Sequence, residues 1–162
     1  MKHAPIPPND EERLKILHQK NILDTPAEPR FDELTKLATT LLKVPIAAVS
    51  IIDKDREWFK SCHGLNIKEG PRATSFCGHA MLASDLFIVE DTLQDERFRD
   101  NPQVMGYPFI RFYAGIALHE LDSGHVLGVF CVKDTNPRKL STKDIGIFLD
   151  IAKKVEIELN KP

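Results

Sequence analysis

The sequence is short of several features that would assign it to a class at once. No apolar run approaches the roughly 20 residues needed to cross a bilayer. The 22 Lys and Arg do not outnumber the 24 Asp and Glu, and the formal charge is −2. The basic excess of a nucleic-acid binder is therefore missing. Cysteine is scarce and odd in number, three in 162 residues. That excludes a disulfide-stapled scaffold and fits a reducing cytoplasm. Met1 to Asp10 holds three prolines and no apolar stretch, unlike a signal peptide. With 42% hydrophobic and 28% charged residues the chain is too apolar for a disordered polymer. Its length fits one domain, able to bury about 68–70% of its unfolded surface. The expectation is a cytoplasmic domain over residues 10–160 behind an N-terminal extension of residues 1–9.

Hydrophobic spacing gives the element order. Asn9 with Glu12 three residues on resembles a capping box and predicts a helix from Asp10 to about Asn21. Its apolar residues are few, so it must rest on another element. A second start signal at Thr25 to Pro29 leads into a helical stripe of Phe31, Leu34, Leu37, Ala38, Leu41 and Leu42. Ile46 to Ile52 is apolar on both alternating sets, as in a central strand covered on both sides. Glu57 to Cys62 reads as the returning hairpin strand, with Trp58, Lys60 and Cys62 on one face and Glu57, Phe59 and Ser61 on the other. A polar loop follows from His63 to Arg72. Ser75 caps a short helix from Phe76 to about Ala83, and Phe87 to Glu90 is a strand. Asp91 to Pro108 is a long connection with one helical turn expected at Asp95 to Arg99. Phe109 to His119 and His125 to Lys133 form a second hairpin. Ser141 and Asp144 open a last helix to Asn160. Hairpins make the sheet antiparallel, with the terminal helices on one face: an α+β fold.

In that last helix Ile145, Phe148, Ala152, Val155 and Leu159 are spaced 3, 4, 3, 4, a heptad seam. Ile147, Leu149, Ile151 and Ile157 lie off it. Two readings stay open: one broad core stripe, or one face on the sheet and another on a second subunit.

Four segments together resemble the GAF family of ligand-binding and signalling domains. They are Val44 to Asp53 (VPIAAVSIID), Trp58 to Ser61 (WFKS) with Gly64-Leu65, Arg72 to Ala80 (RATSFCGHA), and Arg111 to Gly115 (RFYAG) followed by Gly128 to Asp134 (GVFCVKD). The likeness is to the bacterial subgroup that often precedes sensor histidine kinase or diguanylate cyclase domains. It implies a sheet of about six strands, terminal helices on one face, and a pocket under a small helix and loops on the other. Such domains bind various small molecules, or none, and many dimerise. A downstream kinase or cyclase output domain is an implied partner; nucleic acid and membrane are not.

Particular activities of the family find little support in the residues. The Asn-Lys, Phe and Asp-Glu pattern of cyclic-nucleotide binders is absent after Lys133. The Cys-His pair of bilin binders occurs only at Cys62-His63, on the wrong element. Phe76-Cys77-Gly78 resembles the Val-Cys-Gly of free methionine sulfoxide reductases, but that family's attacking cysteine belongs in the stretch matching Arg99–Gly106, which has none. A thiolate nucleophile is needed for that reaction, so no enzyme activity is expected. Cys62, His63, Cys77, His79 and Cys131 lack zinc-ligand spacing, and no metal is expected. No cofactor is assigned.

The candidate ligand site is Trp58, Ser75, Phe76, Cys77, His79, Asp91, Arg111 and Tyr113. A capped helix start at Ser75 presents N–H groups suited to an acidic ligand. Cys77 and His79 could add a reactive thiol and a titrating donor. Arg111 and Tyr113 alternate onto one strand face with Gly115, and Arg111 offers a planar cationic fork. Each has a plainer alternative: Phe76, Cys77, Trp58 and Tyr113 as core, His79 as a satisfied polar group, Arg111 paired with Asp91 or Glu90. The functional expectation is a sensory domain that binds a small ligand, for which an anionic group would suit, and signals through a homodimer of terminal helices. A ligand-free dimerisation or interaction module is the alternative.

Overall fold

A computed structural model describes residues 1–162. Helices α1 (Asp10–Gln19) and α2 (Pro29–Leu42) lead into strands β1 (Ile46–Ile52), β2 (Arg56–His63) and β3 (Glu69–Pro71). Helix α3 (Phe76–Ala80), strand β4 (Phe87–Val89), a 3-10 turn (Thr92–Gln94) and helix α4 (Pro102–Met105) follow. Strands β5 (Phe112–His119) and β6 (Val126–Asp134) and helix α5 (Thr142–Asn160) complete the chain. The six strands form one sheet in the order β3-β2-β1-β6-β5-β4, with every neighbour antiparallel. The fold is α+β.

β1 lies between β2 and β6, and all seven of its residues are buried. Its doubly apolar pattern therefore feeds two cores. On one face Val49, Ile51, Trp58, Phe112, Phe130 and Val132 meet α1, α2 and α5. On the other, Ile46, Ala48, Phe59, Tyr113 and Cys131 meet α3 and the 92–110 connection. Along α5 the seam residues Phe148, Ala152, Val155 and Leu159, with Ile151, are buried against the sheet, so the seam is core. Both bonds of the Ser141–Asp144 capping box are present. Leu149 and Ile157 on α5, and Leu37 and Leu41 on α2, remain exposed.

Several local expectations are corrected. β2 does not alternate throughout. Val49 pairs with Ser61 and Ser50 with Phe59, so Lys60 is an extra, bulged residue. A bulge shifts the alternation by one. Trp58 and Ser61 thus share the helical face, while Glu57, Phe59 and Cys62 face α3. Asn9 does not cap α1; its φ of −94° and ψ of 17° are not the extended backbone a cap requires. The helix stops at Gln19 because Asn21 turns left-handed. The polar loop after β2 carries β3, a short edge strand. α3 ends at Ala80, and the tightened bonds Leu82 N to His79 O and Ala83 N to Ala80 O finish the turn. The expected turn at Asp95–Arg99 is present, with Arg99 N bonded to Asp95 O at 2.9 Å, and it stands between a 3-10 turn capped by Asp91 and α4 capped by Asn101. β5 starts at Phe112, not Phe109, whose positive φ of 59° breaks the strand. The N-terminal segment lies against the domain: Lys2 N bonds to Arg97 O, Ala4 N to Ala73 O, and Ala4 is buried.

One buried charge cluster ties these parts together. Asp10 accepts from Arg13 Nε at 2.9 Å and from both Nη atoms of Arg72 at 2.9 Å. Arg13 also donates to Val126 O, and Arg72 to Asp53 O and Lys54 O. α1, β6, the β1–β2 turn and the segment before α3 therefore meet on one carboxylate. Burial alone would raise the Asp10 carboxyl, but the bonds from Arg72 and Arg13 outweigh it and hold its pKa below the ordinary value. Removing the carboxylate leaves two guanidinium groups buried. Asp10→Ala is expected to cost about 3–5 kcal/mol in chemical denaturation; a loss within the ±0.5 kcal/mol of an ordinary surface change would refute this reading. Because the folded pKa is depressed, the stabilisation is complete above the unfolded carboxylate's pKa and disappears as pH falls through the folded value.

Candidate functional site

The α3 face holds half of the residues singled out from the sequence. Ser75 caps α3: its Oγ accepts from Gly78 N at 2.9 Å and donates to Arg72 O at 2.8 Å. Gly78 lets the N-terminal segment lie close, since a Cβ there would stand 2.6 Å from the Ala4 Cβ. Phe76 stacks on Phe98 (4.4 Å between centroids) and on Tyr113 (5.2 Å). Tyr113 folds back over Gly115 on its own strand, where a Cβ would come within 2.3 Å of the phenol oxygen. In that position Tyr113 OH donates to Cys77 Sγ at 3.1 Å. Phe76, Cys77, Phe98 and Tyr113 have no solvent exposure.

The remaining sequence candidates sit elsewhere. His79 lies at the rim, edge-on to Phe98, with Nε2 3.1 Å from Lys2 O. Burial lowers its pKa; the ring is read as neutral, with Nε2 as the donor. Arg111 precedes β5 and pairs with Asp91 through Nη2 at 3.1 and 3.3 Å, the plainer of its two readings. Asp91 also accepts from Leu93 N. Trp58 is on the opposite, helical face, because the strand phase it was assigned ends at the Lys60 bulge. It lines an open cleft of about 700 Å³ along the outer edge of β2, with Asp24, Lys60, Asn66 and Lys68.

The structure adds two charged residues to the α3 face. Lys133 is 2% exposed and stands beside Ile46 and Tyr113 in the sheet. Its Nζ lies 5.9 Å from the ring centres of both Phe59 and Phe76. Glu57, 3% exposed, accepts from Ser50 Oγ at 2.8 Å. Burial works against the ammonium, but nearby electron-rich groups, Cys131 and Glu57 foremost, hold its pKa above the ordinary lysine value. The signal was present in the sequence: period-two alternation puts Lys133 on the same face as Val129 and Cys131.

The thiols are poorly placed for nucleophilic work. Burial pushes Cys77 well up and Cys62 up to about 11. No three His, Cys, Asp or Glu side chains come together as a metal site.

A six-stranded antiparallel sheet with terminal helices on one face and a small helix with loops on the other is the arrangement expected above. A family model described as "GAF domain" matches residues 26–159. The chain belongs to the GAF domain family. It is 40% identical over 156 residues to a cyclic di-GMP phosphodiesterase of Pseudomonas aeruginosa. That match takes in 96% of this chain but 26% of the phosphodiesterase, so the chain spans about a quarter of that relative's length. Among solved structures, the GAF domain of an Acinetobacter phosphoenolpyruvate-protein phosphotransferase superposes with a TM-score of 0.66 at 15% identity, over 95% of this chain and 94% of the other. A free methionine-R-sulfoxide reductase from Neisseria meningitidis gives 0.64 at 14% identity, over 99% and 96%. At those identities the likeness is one of fold. No helix of this GAF domain is long and apolar enough to cross a membrane.

Burial and pKa predict the order of thiol reactivity. With iodoacetamide, Cys62 should be modified slowly in the folded protein and faster as pH rises towards 11. Cys77 and Cys131 should react only in denaturant. Mass spectrometry of the peptides reads this out, and rapid native labelling of Cys77 would contradict it.

Proposed function

We propose that this GAF domain is a sensory or regulatory unit that binds a small ligand under α3 and passes the signal on through its helices in a homodimer. The observation that carries this reading is the make-up of the two cores. The helical face is sealed by long helices. The α3 face is closed by a five-residue helix and a loop, and it contains a buried lysine and a buried glutamate among aromatic rings. Its cover is one short helix and irregular chain, joined to the N-terminal segment by Ala4 N to Ala73 O and His79 to Lys2 O, and to the sheet by Tyr113 OH to Cys77 Sγ. Such a cover opens at lower cost than the helical layer. The kinship with a region covering a quarter of a cyclic di-GMP phosphodiesterase supports a regulatory role beside an output domain. No chemistry on the ligand is proposed, because the Arg99–Gly106 stretch lacks a cysteine and the Cys62 and Cys77 thiols are pushed away from thiolate. We place the protein in the cytoplasm on its scarce cysteines.

The second reading, a ligand-free interaction module, is favoured by the complete burial of Phe76, Phe98 and Tyr113. Trp58 and Phe112 lie on the helical face and do not fill the space under α3. Native mass spectrometry of freshly purified protein, followed by a thermal-shift screen of metabolites, separates the two. A co-purified small molecule or a saturable stabilisation supports the sensor; neither, in the presence of dimer, supports the module.

Dimerisation through the helical layer draws on Leu37 and Leu41, exposed one turn apart on α2 at 37% and 47%. Sedimentation at micromolar concentration should show a dimer. Leu41→Glu should weaken it by about tenfold or more, since a buried interface leucine contributes roughly 1.5–3 kcal/mol. A monomer in the unsubstituted protein would exclude this mode of signalling.

A further inference from the structure

Two lysines of this domain are buried, and they are treated differently. Lys60, 5% exposed, donates to Thr25 Oγ1 and Pro26 O and pairs with Glu28 at 2.7 Å. Lys133 is more deeply buried and makes neither a hydrogen bond nor an ion pair; its Nζ stands 5.9 Å from the centres of two aromatic rings. Glu57, across the sheet, stays beyond ion-pair distance and is engaged by Ser50. A buried charge without a partner is costly, and a methionine would fill the same volume without that cost. Glu57 offsets the charge only from beyond ion-pair distance, so the ammonium's hydrogen bonds are left for a group from outside the chain.

The surroundings narrow what that group is. Any anion there also meets the Glu57 carboxylate, buried on the same face, and a monoanion meets about half the repulsion that a dianion such as phosphate would. The walls are the rings of Phe59 and Phe76, which suit an apolar body. We propose that Lys133 is the anchor for the carboxylate of a small monoanionic organic acid whose apolar part lies between Phe59 and Phe76. This rests on the reading of the α3 face as the ligand side. Access requires α3 to lift, which unstacks Phe76 from Phe98.

Thermal shift on the full chain tests the anchor with butyrate and phenylacetate as probes. Butyramide serves as the neutral counterpart of butyrate, and inorganic phosphate as the dianion. The expected result is a saturable rise in Tm of several degrees with a carboxylate and none with butyramide or phosphate. In Lys133→Met the half-saturating concentration should rise by about tenfold or more, while the ligand-free Tm stays level or rises. Should Lys133→Met not fold, Lys133→Gln carries the same comparison. An undiminished response in the variant, or butyramide acting as well as butyrate, overturns the anchor and leaves a ligand-binding face standing. So does silence of both carboxylates while a metabolite without a carboxylate stabilises the protein. Silence of every probe and of the metabolite screen overturns both readings. A fall in ligand-free Tm as large as that of a core truncation also overturns the anchor, because Lys133 would then serve the fold.

Discussion

The fold depends on burying one strand from both sides. β1 has no polar face to turn to water, so the sheet must be covered twice. The two covers are unequal. Three helices supply the first, and one turn of helix with a long connection supplies the second. Everything specific to this GAF domain follows from that inequality. The strong cover holds the sheet in place. The weak one must be held by devices of its own: a serine cap, a glycine under the N-terminal segment, and a tyrosine folded over a glycine.

Sequence patterning made the elements legible where periodicity was strong. β1 and α5 stand at the expected residues, because a doubly apolar run and a capped 3.6-residue stripe each have one stable solution. Boundaries moved where a single backbone angle decided them, as at Asn21 and Phe109. β3 was invisible, since three residues including Gly70 and Pro71 carry no strand signal. The site was half legible. Ser75, Phe76, Cys77 and Tyr113 do converge, while Arg111 and Asp91 satisfy one another and Trp58 belongs to the other core. Lys133 belongs to no motif, and its place is set by register, beside Tyr113 and Ile46.

The polar groups inside this protein fall into two kinds. Asp10, Arg13 and Arg72 form a structural knot in which one carboxylate serves two guanidinium groups and joins four segments. Ser50, Glu57 and Lys133 form a looser set, on the face with the lighter cover. The first joins its segments although Arg13 Nη2 and Arg72 Nε are left without partners. The second holds Lys133 without a hydrogen bond, with the Glu57 charge beyond ion-pair distance.

The bulge at Lys60 has a wider consequence. A strand reads like a two-letter frame, and one extra residue changes the frame for everything downstream. Before Lys60 the frame assigns Trp58 to the helices; after it, Cys62 is assigned to α3. A relative without Lys60 would alternate regularly and keep Ser61 towards the helices and Cys62 towards α3, whereas one that kept every letter but lost the bulge would turn Ser61 to the aromatic rings and Cys62 to the helical face. Alignment across this point therefore has to be made on the frame and not on the letters, and a one-residue gap is absorbed at Lys60 with both cores kept.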